Sequence, residues 1–315
     1  MSAAAASGPR VRSLRATAVR GALGLAMAAV LLVTFLRLVD LTAVYHRLEH
    51  LRAGLALLSG VAFLSAFVVR ALRWRRLLAP SPLTRRRAAA IYQVAIFVNW
   101  MLPIRAGELV KSLLLRRTDR IPVSRSLATV GIDKLFDLLP AVALIAVLPF
   151  LGVRLSRPLW VLLLMALAVV VGTLALIFLT ARNHDGALRM LSRVLGAVLP
   201  RRVRGRAVPF LFRFLDALLS LVRQPRLILV ATAYTAVAIA LDATFCLLAF
   251  QAVGVNVALP VAVYGYTLYN LAFILPTPPG QIGANEVIGL LIFADLFGVN
   301  RSGVAAMFLF SHPFT

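Results

Sequence analysis

Apolar residues run along this chain in long blocks rather than in amphipathic stripes, and short arginine clusters separate the blocks. About 20 successive apolar residues suffice for a helix to cross the hydrocarbon core of a bilayer. By that measure 21–36 predicts a first helix and 53–72 a second. A long helix follows over 123–151, with Pro140 inside it, then helices over 158–180 and 227–250, and a last one from near Ser302. The stretch 38–52 mixes polar and apolar positions and reads as interfacial.

Two segments do not fit a single span. Residues 88–102 are too few to cross; they break at Leu102-Pro103-Ile104-Arg105-Ala106-Gly107-Glu108 and resume over 109–115. Residues 259–275 are interrupted at Pro276-Thr277-Pro278-Pro279-Gly280-Gln281-Ile282-Gly283-Ala284-Asn285-Glu286 and resume over 287–297. Both share one order of parts: an apolar half-helix, Leu-Pro, a glycine-bearing turn, Glu, and a second half-helix. The pattern predicts two re-entrant hairpins, about 88–117 and 259–297. Two independent Pro/Gly kinks in ordinary helices would leave the same trace.

Composition sharpens this picture. The 315 residues are 61% hydrophobic and 14% charged, against about 25% charged in an ordinary soluble domain. A soluble enzyme, a disordered chain and a disulfide scaffold are excluded, and Cys246 is the only cysteine. The expected fold is an all-α polytopic membrane protein with about six spanning helices plus the two hairpins. Residues 1–20 form a basic tail and 21–315 one membrane domain.

The net charge of +23 is almost all arginine. Basic residues collect in cytoplasmic loops, so the tail, 73–87, 116–117 and the basic segment 182–225 are assigned inside. Arg37, Arg47, Arg52, Arg154, Arg157 and Arg301 then fall outside, with Arg105 and Lys134 at membrane depth and every other basic residue inside. The first hairpin therefore opens inward and the second outward. Interrupted segments in inverted halves point to a transport site near the midplane. The basic residues flank apolar spans, with no aromatic-studded domain to carry them, so nucleic acid is not an expected partner.

Charged groups within apolar spans are costly and need a reason. Arg105, Glu108 and Lys111 gather at the first break, and Glu108 and Lys111 share a helical face at i,i+3. Guanidinium forks and a helix N-terminus both suit phosphate; an ion-pair clasp holding the hairpin shut is the other reading. Asp133, Lys134 and Asp137 form a second cluster, which either contacts substrate or anchors its helix to Arg105 and Lys111. Glu286 follows Gly280 and Gly283 in the second break, and Asn99 and Asn270 occupy equivalent places on the first half-helices. These eleven residues form the candidate headgroup-binding set. Asp242 reads as an isolated acid and Asp295 as solvated at the outer boundary. His46 and His50 lack a third ligand, so no metal is expected. No phosphate-binding loop or nucleophile elbow is present, so no cofactor, ATP hydrolysis or enzymatic activity is expected.

Asn99-Trp-Met-Leu-Pro-Ile-Arg-Ala-Gly-Glu108, Asp133-Lys134-x-x-Asp137 and Leu275-Pro-Thr-Pro-Pro-Gly-Gln-Ile-Gly-Ala-Asn-Glu286 together resemble the lysylphosphatidylglycerol synthase transmembrane-region family, a flippase-like membrane domain. Positions 133 and 134 depart conservatively from that family's Glu-Arg. The resemblance covers about 20–312. Full-length synthases append a cytosolic aminoacyl-transfer domain, which this chain lacks, so lysyl-lipid synthesis is not implied. It also implies that the last helix, which stops at Ser311-His312-Pro313-Phe314-Thr315, is truncated.

The function expected is ATP-independent movement of a lipid, or of a polyprenyl-linked or sterol-like amphiphile, between leaflets of the cytoplasmic (inner) membrane, with anionic or polyprenyl-linked lipids as partners and the N-terminus inside. The alternatives are a non-transporting partner of a lipid-modifying enzyme, docked through 182–225, and a small-ion or solute transporter.

Overall fold

The structure is a computed structural model that describes residues 9–102, 106–151, 156–182, 186, 189, 193, 201–273, 275 and 277–313. Arg105 and Arg154, with most of 183–200, lie outside the described residues. Among those described the secondary structure is helical, with no strand.

The helices are α1 (Pro9–Leu38), α2 (Leu41–Glu49), α3 (Ala53–Leu77), α4 (Arg85–Met101), α5 (Gly107–Asp119) and α6 (Val123–Leu151). Then come α7 (Arg157–Arg182), α8 (Arg201–Val222), α9 (Pro225–Ala252), α10 (Leu259–Ala272), α11 (Ala284–Gly289) and α12 (Arg301–Ser311). A 3₁₀ turn, Pro279–Gln281, precedes α11. The second return limb was expected as one α-helix over 287–297, but it is α-helical only to Gly289 and a π-helix over Leu290–Leu296. Packing accounts for the change. Gly289 lies under the ring of Phe308 and Gly265 under that of Phe293, so the wider turn seats aromatic rings where a Cβ would collide.

Three of these helices are long and apolar enough to cross a membrane: Ala53–Leu77, Arg157–Phe178 and Pro225–Ala252. The pair Ala22–Leu38 and Leu41–Glu49, bent by 87°, makes a fourth if counted as one span. The bend has a local cause, since the Asp40 carboxylate accepts from the amides of Thr42 and Ala43 and starts α2 afresh.

Helices α3 and α9 pack antiparallel along their length. Arg73 meets Thr235, Arg70 meets Asp242, and the Arg52 amide donates to the Ala252 carbonyl at 2.9 Å. Around this pair the buried side chains form three clusters. The largest joins Phe63, Phe245, Phe250, Tyr266, Phe293 and Phe308. A second packs Trp74, Tyr92, Leu115 and Val130 between α3, α4, α5 and α6. The third holds α8 against α3, α6 and α9 through Leu77, Phe136, Leu218 and Leu219. Outward-facing positions are also apolar, with Leu57 73% and Leu229 71% exposed. A surface of that kind suits lipid rather than water.

Candidate functional site

The first break is built by close backbone approach. A Cβ on Gly107 would lie 2.1 Å from the Ala95 carbonyl oxygen, so only glycine lets α5 start against α4. The Gly107 amide donates to Asn99 Oδ1 at 2.7 Å, an N-terminal cap supplied by the neighbouring helix. Glu108 then falls in the first turn of α5, where a carboxylate is favoured by the helix dipole.

Glu108 begins a network of eight charges. It bonds Lys111 at 2.5 Å and Lys134 at 3.0 Å, and Lys134 also reaches Asp137 at 3.3 Å. Arg73 uses its whole fork. Nε donates to Asp133 at 2.8 Å, Nη1 to Thr235 Oγ1 at 2.9 Å, and Nη2 to the Asp133 carbonyl at 3.1 Å and to Asp137 at 2.5 Å. Arg70 grips Asp242 with both Nη atoms, at 3.2 and 2.5 Å, and stands 4.0 Å from Asp137. Four cations thus meet four carboxylates, and the set is neutral. Buried charges persist only when paired and hydrogen-bonded in this way.

This completes the sequence picture and corrects it at Asp242. Arg70, Arg73 and Lys111 lie inside the bundle, with Arg73 and Lys111 only 1% exposed, and the sequence had offered no buried partner for the two arginines. Asp242 is not isolated but paired with Arg70. Asp295 is exposed and forms an ion pair with Arg301 at 2.7 Å. The partner expected for Asp133, Arg105, lies outside the described residues, and Arg73 holds Asp133 instead. No group of three metal-ligating side chains occurs among the described residues, and the His46 and His50 rings stack on each other.

The network forms one wall of a cavity of about 510 Å³. Of the candidate residues, Asn99, Glu108, Lys111, Lys134, Asp137 and Asn270 line it, joined by Arg70, Arg73 and Asp242. Asp133 lies behind the wall, fully buried. The same cavity is lined by apolar and aromatic side chains, Phe63, Phe67, Phe136, Leu138, Ile239 and Tyr269, of which Phe67 and Phe136 lie against the guanidinium groups of Arg70 and Arg73. Lys111 is turned away from any role as a free phosphate donor, since its ammonium sits 4.3 Å from the Tyr92 ring and 5.1 Å from that of Trp74. Lys134 is the open cation, with 48% of its side chain exposed.

The second break adjoins the first. Gln281 lines the cavity, and a Cβ on Gly280 would lie 3.5 Å from Cζ2 of Trp100, at the end of α4. Gly280 and Gly283 both have positive φ, at 66° and 76°, and Gly283 faces Leu31 and Leu32 of α1. Gly280, Gly283 and Glu286 themselves are not on the cavity wall. Glu286 is buried and bonded to His312 at 2.6 Å. Sequence reasoning missed Arg70, Arg73 and His312; a pattern of arginines spaced i,i+3 just inside the apolar end of α3 was the available signal for the first two.

The family model described as "Lysylphosphatidylglycerol synthase TM region" matches residues 21–315. The chain belongs to this family. The match covers essentially the whole of the given chain and, with its apolar helices, makes this a membrane-embedded protein. No curated protein and no solved structure matches it significantly.

Proposed function

We propose that this protein moves an anionic or polyprenyl-phosphate lipid between leaflets without ATP hydrolysis or other catalysis. The observation that carries the reading is the mixed lining of the cavity: paired charges and aromatic and aliphatic side chains line one space inside an apolar bundle. Its volume lies in the range of small-ligand sites, enough for a headgroup while the tails stay in the bilayer. Lys134 bridges Glu108 and Asp137, so it can trade one carboxylate for a lipid phosphate, and the freed acid balances any amine on the headgroup.

In this reading the two breaks are tips of re-entrant hairpins that enter from opposite sides and meet where Trp100 faces Gly280. About six spans surround them, the N-terminus lies inside, and the host is the cytoplasmic membrane. Rocking of one half against the other would expose the cavity to each leaflet in turn.

The test is reconstitution of the full chain in liposomes. Headgroup-labelled anionic lipid or polyprenyl phosphate is expected to change leaflet faster than in empty liposomes. Arg105→Ala and Lys134→Gln are expected to remove the gain. Equal rates with and without protein for both lipid classes would favour a non-transporting partner of a lipid-modifying enzyme.

A further inference from the structure

His312 follows the last turn of α12, and both of its ring nitrogens face oxygen. Nδ1 lies 2.6 Å from Glu286 Oε1, and Nε2 lies 2.9 Å from the Gly280 carbonyl oxygen. A carbonyl oxygen cannot donate, and an ionised carboxylate only accepts. A neutral imidazole has one hydrogen and could satisfy only one of these two contacts, leaving a lone pair against an oxygen at the other. The imidazolium satisfies both. The Asn285 amide stands 3.5 Å from Nδ1, and its oxygen is buried without a donor; turned over, it presents that oxygen to the same hydrogen.

Apart from Glu286, the surroundings of this ring are largely apolar or already paired. Among the described residues Glu286 is the charged side chain acting on it. On α10, Tyr269 packs on Phe308, one turn earlier in α12. Arg301 and Asp295 pair with each other at the opposite end of α12, where Arg47 of α2 reaches Ser302. The part of α1 that faces the break there presents Leu31 and Leu32.

We propose that His312, with Glu286 and the Gly280 carbonyl, is a proton-binding site that latches the second break. With both hydrogens in place the ring ties α12 to α11 and to the 3₁₀ turn. When one hydrogen leaves, one of the two bonds becomes a repulsive contact and the turn is released. That turn carries Gln281 into the cavity and sets Gly280 against Trp100, so the latch adjoins the proposed lipid path. The ligand is the proton. The link to lipid movement rests on the function proposed above, whereas the latch can be tested without it.

The experiment uses the full chain in nanodiscs, with Cys246→Ser and Ile282→Cys, labelled with ¹⁵N-histidine. Ile282 is half exposed in the break, which makes it a reporter of release. Near pH 6 the resonances that vanish in His312→Gln are expected to show both ring nitrogens carrying hydrogen. As pH rises and one hydrogen leaves, thiol labelling at position 282 is expected to speed up by about fivefold or more. In His312→Gln the labelling rate is expected to be independent of pH. In Glu286→Gln, which keeps the shape but loses the charge, the transition is expected about one pH unit lower. A ring that holds a single hydrogen throughout about pH 5 to pH 9, or a pH dependence that survives in His312→Gln, would overturn the latch. A latch that behaves as expected in a protein that moves no lipid would leave this inference standing and sink the transport reading alone.

Discussion

The guanidinium of Arg73 bonds the carboxylate of Asp133 at 2.8 Å with both side chains sealed from solvent, at 1% and 0% exposure. It ties α3 to α6 at the level where α5 and α9 also converge. An ion pair so placed stabilises the bundle little relative to apolar residues of the same size, but breaking it strands a charge.

Truncating one partner is therefore expected to cost far more than replacing both. Arg73→Ala should destabilise the purified protein by about 3–5 kcal/mol, by leaving Asp133 buried without a counter-ion. The double change Arg73→Met with Asp133→Leu should recover most of that loss. Thermal unfolding in detergent reads both, and a double variant no better than Arg73→Ala would show that the pair itself contributes the stability.

Lys134 should behave in the opposite way. Its side chain is half exposed, so Lys134→Gln is expected to change stability by less than about 1 kcal/mol while removing most of the leaflet exchange. A variant that unfolds early would place Lys134 with the structural pairs and not at the lipid.

The backbone contact at the first break gives a steric prediction. Gly107→Ala puts a methyl group into the Ala95 carbonyl, so it is expected to lower folded yield and unfolding temperature sharply. Gly172→Ala, where nothing lies within 4 Å, is the matched control and should leave both unchanged. Size-exclusion profiles and melting curves of the two variants decide it.

The inverted arrangement is tested by labelling. In a Cys246→Ser background, single cysteines at Arg85, Thr118 and Ser156 report the two ends of the first hairpin and the loop before α7. An impermeant thiol reagent applied outside is expected to label the Ser156 position alone. Labelling at Thr118 would show that the segment crosses, and the repeat would fail.

What could be read from the sequence follows the range of each interaction. The break at 102–108 was legible because Pro103, Gly107 and a short apolar run are local signals. The pairs Glu108–Lys111 and Lys134–Asp137 were legible because i,i+3 spacing on a helix fixes a shared face. Arg70 and Arg73 were not. They sit within one to two turns of Arg75 and Arg76, so charge statistics sweep them into the cytoplasm. Only the register of α3 on α9, which sets Arg70 against Asp242 and Arg73 against Thr235 across more than 160 residues, reveals their buried partners. His312 was hidden for the same reason, since nothing near it in sequence predicts Glu286 or the bare carbonyl of Gly280. The π-helical segment depends on its own Phe293 seating on Gly265 of α10 and on the Phe308 ring of α12 over Gly289, contacts that local propensity does not see.

Asp137 stands within 4.0 Å of three cations at once: Arg70 and Arg73 from one helix, Lys134 from its own. Such a carboxylate works as a relay tooth between two sliding racks. If α3 were to shift along α6 by a fraction of a turn, Asp137 could pass from one guanidinium to the next before the first had let go, whereas Asp133, paired among the described residues with Arg73 alone, would resist the same step. One carboxylate of this wall is thus fitted to yield and its neighbour, one turn away, to hold.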